Sequence, residues 1–140
     1  MRAGSLDATG HGLATNPIFP FVVKKVSVLD SVTVNALSSA LGGLQARQTA
    51  TANNIANINT PNYKSQVVSF ENALAASVQA GSGVVSPTTQ DSLEPTQLDG
   101  NNVNLDTEDV TNTTTVLQYQ FTAQAINQEL TSFVPALNIT

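Results

Sequence analysis

Val34, Leu37, Leu41, Leu44, Gln48, Thr51, Ile55 and Ile58 follow one another at alternating steps of three and four residues. That spacing places them on one stripe of a helix and predicts a heptad seam that packs against a second helix. Asp30 or Ser31 can cap the start of this helix by accepting backbone N–H bonds. Pro61 stops it, because proline drives Thr60 out of the helical region. Near the other end of the chain Val116, Tyr119, Ala123, Ile126, Leu130 and Phe133 repeat the same steps, and Asn112 extends them backward by four. A second long helix is expected from there, capped by Asn104 or Asp106, with Glu108 and Asp109 at the positive end of its dipole and Pro135 at its end. Both helices are long but weak. Gly42 and Gly43 cost the first roughly 1 kcal/mol each relative to alanine, and the β-branched run Thr111, Thr113, Thr114 and Thr115 disfavours the second.

Between them the pattern is mixed. Asn62 suits a turn, Val67-Val68-Ser69-Phe70 reads as a short extended piece or a bend, and Glu71 to Ala76 as a short helix. Residues 81–104 are rich in Gly, Ser, Pro, Asp and Asn and read as a long loop. Before the first helix, Gly4, Gly10, Gly12, Pro17 and Pro20 interrupt any period. Residues 1–29 are therefore expected to be a disordered leader, or a stretch upstream of a later start such as one near Val26. The expected organisation is a leader at 1–29, a first axial helix at 30–61, a connecting segment at 62–104 and a second axial helix at 105–137. The expected fold class is mostly α: two long terminal helices pairing as an antiparallel coiled-coil hairpin, joined by a polar loop with little strand, with termini disordered in the monomer. A two-helix hairpin buries one stripe only. At ~25 cal/mol per Å² that hardly offsets about 1–2 kcal/mol per residue of backbone ordering, so packing against copies or partners is expected to complete the core.

Composition narrows the classes of function. In 140 residues there are five Lys+Arg against ten Asp+Glu, a formal charge of −5. No basic stripe exists to neutralise phosphates, which argues against a nucleic-acid binder. Charged residues make up 11%, against roughly 25% in an ordinary soluble domain. Mean hydropathy is nevertheless close to zero, so this is not the charge-rich recipe for disorder. Cysteine is absent, which removes disulfides, thiolate metal sites and a thiol nucleophile. No apolar run reaches the ~18 residues of a membrane span. The patch at residues 17–23 holds two prolines and precedes Lys24 and Lys25, the reverse of a secretory signal, so no cleaved signal is expected.

No catalytic constellation appears. His11, the sole histidine, lies in the Gly-rich leader without an orienting partner. The acidic run from Asp99 to Glu108 suggests a calcium loop but fails the pattern, with Val103 at the fifth position and Asn104 where glycine is required. A turn followed by a helix cap explains it better. Phosphate-loop, zinc-protease and hydrolase-elbow motifs are absent. No enzyme activity, cofactor or metal is expected. The unusual stretch is Ala52 to Lys64, where Asn53, Asn54, Asn57 and Asn59 crowd one helix end and their amides compete for backbone groups. Two readings stand side by side: a helix end chosen for breaking, or a row of amides bonding across an interface.

That stretch, Ala52-Asn53-Asn54-Ile55-Ala56-Asn57-Ile58-Asn59-Thr60-Pro61-Asn62-Tyr63-Lys64, resembles the amino-terminal signature of the bacterial flagellar rod, hook and hook-associated axial proteins, approximately A-x-N-N-I-A-N-x-x-T-P-G-Y-K. The lead-in from Ala40 to Gln48 fits as well. Asn62 stands where glycine is usual, and asparagine tolerates the left-handed conformation. The short chain, Val67 to Leu74, Leu98 to Asp106 and Leu117-Gln118-Tyr119-Gln120 resemble the proximal-rod class in particular. The resemblance covers roughly residues 30–137. It implies a structural subunit of the proximal rod of the flagellar basal body, a hollow helical drive shaft for motility that crosses the periplasmic space. It implies export through the flagellar type III apparatus without a cleaved signal peptide. Partners would be copies of the chain, other rod proteins and the adaptor that joins the rod to the MS ring, with no nucleic acid and no membrane insertion. Carried over, the expected subunit-interface residues are Asn53, Asn54, Ile55, Ala56, Asn57, Thr60, Pro61 and Tyr63. The expected helix-pair seam is Leu37, Leu41, Leu44 and Ile55 with Val116, Tyr119, Ala123, Ile126 and Leu130. Alternatives are a sister short rod subunit, or a soluble helical partner-binding protein such as a flagellar export chaperone.

Overall fold

The computed structural model describes residues 18–137, with side chains described from Ser31 to Thr131. The element order is α1 (Ile18–Ala56), β1 (Gln66–Ser69), α2 (Glu71–Gln79), β2 (Thr88–Asp91) and α3 (Leu105–Leu137). The chain is mostly helical, with little strand. At 1.5 Å per residue, the 39 residues of α1 span about 58 Å and form the axis on which the rest is laid. The most extensive packing between elements is α1 against α3, and β1 and α2 also lie against α1.

The helix boundaries differ from the sequence expectation in two places. Helix α1 begins at Ile18, so Asp30 and Ser31 lie inside it rather than capping it. Pro20 falls in its first turn, where a missing N–H has no intrahelical acceptor to lose, and so does not act as a breaker. Of the expected leader, residues 1–17 lie outside the described residues. Helix α3 does not stop at Pro135 but reaches Leu137, the expected limit of the second axial segment. Its start is as expected: the Asn104 Oδ1 accepts the backbone N–H of Asp106 at 3.0 Å and of Thr107 at 3.4 Å.

The connecting segment is more structured than a polar loop. β1 and β2 pair antiparallel, with Gln66 opposite Asp91 and Ser69 opposite Thr88. The strand's period of two turns Val68 inward and Val67 outward, and Phe70 follows inward. Val68, Phe70, Leu44 and Ala50 form the apolar core, with Ala40, Ala46, Leu74 and Val85 against it. The Arg47 guanidinium lies 5.0 Å from the centroid of the Phe70 ring, donates to the Val68 carbonyl at 3.1 Å and pairs with Glu71. Farther along α1, the loop after α2 is tied down by the Asn35 amide, which donates to the Ser82 carbonyl, and by the Ser39 hydroxyl, which accepts from Val85 N–H.

Burial is uneven along the expected seam. Gln48 faces solvent, and the positions turned inward are Leu44, Ala50, Thr51 and Asn54, with Leu37, Leu41 and Ile55 half-buried. On α3, Val116, Ala123 and Ile126 are half-buried, whereas Tyr119 and Leu130 are 40% and 51% exposed. Glu108 and Thr115 are the buried positions there. The stripe is rotated because the inner face is chosen by hydrogen bonding as well as by apolarity. Thr51, Asn54, Ser65, Asn101, Asn102, Glu108 and Thr115 are buried beside Val32, Leu44, Ala50, Val68, Phe70 and Val103. Among the described residues, every buried side-chain N or O atom has a hydrogen-bond partner.

The two neighbouring glycines of α1 have opposite roles. A Cβ on Gly43 would meet the Phe70 ring at 2.5 Å, whereas one on Gly42 would meet nothing within 4 Å. Gly43→Ala is expected to destabilise the chain by about 1–3 kcal/mol through overpacking. Gly42→Ala should stabilise it by up to about 1 kcal/mol through helix propensity. Thermal melts of the two variants followed by helical circular dichroism check this pair; equal effects would remove Phe70 as the reason for Gly43.

Candidate functional site: the asparagine junction at the end of α1

The end of a helix leaves four backbone carbonyls without intrahelical partners. Here Asn57 N–H still reaches Asn53 and Asn54, and Thr60 N–H reaches Asn57, so α1 unwinds through tight turns rather than stopping at the proline. Asn62 then takes φ 60°, the left-handed conformation the signature's glycine would supply. The remaining carbonyls are collected by a residue far along the chain. The Asn101 side chain, fully buried, donates through Nδ2 to the carbonyls of Asn57, Ile58 and Thr60 at 2.9, 3.1 and 2.9 Å, and its Oδ1 accepts from Val103 N–H at 2.7 Å. Asn62 N–H donates to the Asp99 carbonyl at 2.9 Å. Gly100, at φ 80°, lets the chain pass so close that a Cβ there would lie 2.4 Å from the Asn62 Oδ1.

Asn102 does the same for the strands. Its Oδ1 accepts from Ser65 N–H at 2.7 Å, and its Nδ2 donates to the carbonyls of Ser92 and Glu94 at 3.1 and 3.2 Å. Asn54, 1% exposed, behaves as a peptide group in a ladder: its Nδ2 donates to the Gln66 carbonyl at 3.0 Å and its Oδ1 accepts from Gln66 N–H at 2.8 Å. The Tyr63 hydroxyl donates to the same Oδ1 at 3.2 Å, and the Nδ2 also reaches Glu108 Oε1 at 2.8 Å. The end of α1, the start of β1 and the start of α3 thus meet on one amide.

Two carboxyls near this region shift in opposite directions. Burial pushes Glu108 above its ordinary value, and the Glu94 carboxylate pushes the same way, against the hydrogen bonds from Asn54 and Thr51 that favour the ion. Burial also raises Glu71, but the Arg47 hydrogen bond, the backbone N–H groups of Glu71 and Phe70 and the Arg47 charge together outweigh it and hold the carboxyl below its ordinary value.

Of the residues expected at a subunit interface, Asn53, Ala56, Thr60 and Pro61 are exposed, and Ile55, Asn57 and Tyr63 are half-buried. Asn54 is the exception: its amide bonds within the chain, so it is not available to a neighbour. Asn57 is partly committed as well, with its Nδ2 on the Asn53 carbonyl and its Oδ1 accepting from Thr60. Sequence reasoning missed Asn101, Asn102 and Glu108 as members of this junction. Paired asparagines after a turn glycine were the signal, since a loop that must collect orphan carbonyls needs side-chain donors. Among the described residues no cluster of three or more His, Cys, Asp or Glu could hold a metal, and no helix is long and apolar enough to cross a membrane.

Residues 35–64, the stretch that ends in this junction, match the family described as flagella basal body rod protein. The chain is also 50% identical over 46 residues to the flagellar basal body rod protein FlgB of Bacillus subtilis (strain 168). The aligned stretch covers 33% of this chain and 36% of that protein, so the chain spans about a third of the curated relative it matches. The two matches show that this segment is similar to the corresponding stretch of flagellar basal body rod proteins.

Asn101→Ala strands carbonyls at the end of α1 in a buried place and is expected to cost about 1–3 kcal/mol. Asn101→Asp, which loses the donors and keeps the shape, should cost at least as much at neutral pH. Chemical denaturation of both variants measures it; a near-neutral Asn101→Asp would show that the amide donors hold nothing.

Proposed function

We propose that this chain is a structural subunit of the proximal rod of the flagellar basal body, and that α1 and α3 pair as an antiparallel coiled coil forming its axial part. The reading rests on the rod signature at residues 35–64, which ends in a built junction rather than in a frayed helix. The contact of Asn54 with Glu108 supports the antiparallel sense, because it joins the end of α1 to the start of α3. Repeated head-to-tail contacts between such subunits do not close on themselves and generate a hollow helical shaft across the periplasmic space. In that shaft the subunit meets copies of itself, other rod proteins and the adaptor that links the rod to the MS ring. It reaches its place through the flagellar type III export apparatus without a cleaved signal peptide.

The exposed signature positions Asn53, Ala56, Thr60 and Pro61, with Ile55 and the rim of Tyr63, form the subunit contact. Asn54 acts one step back, by fixing the junction that presents them. Fold and assembly are therefore separable. Asn53→Arg should keep the helical content and melting of the isolated chain yet abolish motility by blocking the contact. Leu44→Asp, which forces a charge into the apolar core, should abolish motility by destabilising the subunit while leaving expression intact. Basal bodies purified from each strain and counted by electron microscopy check both; full-length rods in the Asn53→Arg strain would sink the contact.

A further inference from the structure

Glu108 is 8% exposed and sits where three stretches of chain converge. It reaches α1 through the Asn54 amide at 2.8 Å, and that amide is the one holding Gln66 at the start of β1. Thr51, itself buried, offers a hydroxyl from one turn earlier on α1. A small cavity of about 80 Å³ adjoins the carboxyl. The charged groups that face it there are Arg47 from α1 and Glu94 from the loop after β2, with no ionisable group from β1. Arg47 is already engaged by Glu71 and by the Val68 carbonyl, so it does not neutralise Glu108. On α3 itself Asp106 and Asp109 are exposed. Among the described residues, a carboxylate in this place therefore has one amide, one hydroxyl and a second acid for neighbours, and no cation of its own.

We propose that Glu108 is a proton-operated latch at the asparagine junction: neutral, it clamps the start of α3 onto the end of α1 and the start of β1, and ionised, it loosens that clamp. A neutral carboxyl accepts from Asn54 and can donate its proton to the Thr51 hydroxyl, which matches the donors and acceptors available. An ionised one gives up the donor and confronts Glu94 in a poorly hydrated site. The sign follows from linkage. Below the ordinary carboxyl value Glu108 is neutral in both folded and unfolded chains, and its contribution is fully present. As pH rises, the unfolded chain releases its proton first, and stability falls until the folded carboxyl has also ionised. Glu71 works in the opposite sense: its contribution is present above the ordinary value and is lost as pH falls.

Glu108→Gln keeps the shape and the acceptor for Asn54, supplies a permanent donor and cannot ionise. Thermal melts of the full chain at low salt, from about pH 4.5 to about pH 8, read the latch directly. The wild type should lose melting temperature across that span. The variant should match the wild type at the acid end and melt roughly a few degrees higher at the neutral end. Glu71→Gln serves as the control: it should lower stability at the neutral end and leave the Glu108-dependent fall in place. A constant gap between Glu108→Gln and wild type at every pH would overturn the latch, as would a variant less stable than wild type at neutral pH or the absence of a cooperative melt at any pH. The inference does not rest on the rod reading, because the melt is read on the isolated chain. A latch that titrates in a strain whose rods lack this protein would count against the rod reading alone.

Discussion

The end of α1 has more carbonyls than it can satisfy, and the way they are satisfied decides how the rest of the chain is arranged. Asn101 reaches back more than 40 positions to take three of them on one amide. To do so, the loop before α3 must lie against the turn after α1, and that fixes where α3 starts. Asn102, next to it, ties the loop to the strands, and Asn54 ties the strands to the helix. The long helices are weak by propensity, and the apolar core around Val68 and Phe70 is small. A buried amide bound to backbone is worth only about 1 kcal/mol net when made, but leaving its partners bare costs about 1–3 kcal/mol. These amides therefore act chiefly by penalising every alternative arrangement.

Much of this was legible in the sequence, and the limits were physical. Steps of three and four announce both long helices, Asn104 caps α3, and of the two readings open for Val67 to Phe70, an extended piece or a bend, the strand at Gln66–Ser69 takes the first. Asn62 was expected to take a left-handed turn and does. Pro20 misled because a proline in a first turn costs little, and nothing in its neighbours distinguishes that place from a break. Gln48, Tyr119 and Leu130 of the expected seam are exposed in the single chain, because periodicity counts apolar residues whereas this interior is also selected for donors and acceptors. The paired asparagines after Gly100 mark a loop with donors to spare, but nothing local to residues 97–104 says which carbonyls Asn101 will collect; that pairing exists only once the end of α1 and the start of α3 are together. The same holds for Glu108, which in sequence is an ordinary first-turn acid.

The signature segment illustrates a division between residues that build a surface and residues that are the surface. Asn53 and Asn54 are adjacent and chemically identical, yet one is exposed and the other 1% exposed. On a helix, successive residues point about 100° apart, so one asparagine can close the fold while its neighbour remains free for contact. A run of this kind places a buried amide and an exposed one side by side.

An interior in which buried amides, hydroxyls and a carboxyl stand beside a handful of apolar side chains has a thermodynamic consequence. The heat-capacity change on unfolding rises with exposed apolar area and falls with exposed polar area. Both signs act here, and they partly cancel. The stability curve of this chain is accordingly shallow, with enthalpy and entropy of unfolding that vary little between cold and warm water. Such a chain loses stability almost linearly on warming, without a pronounced temperature of maximum stability.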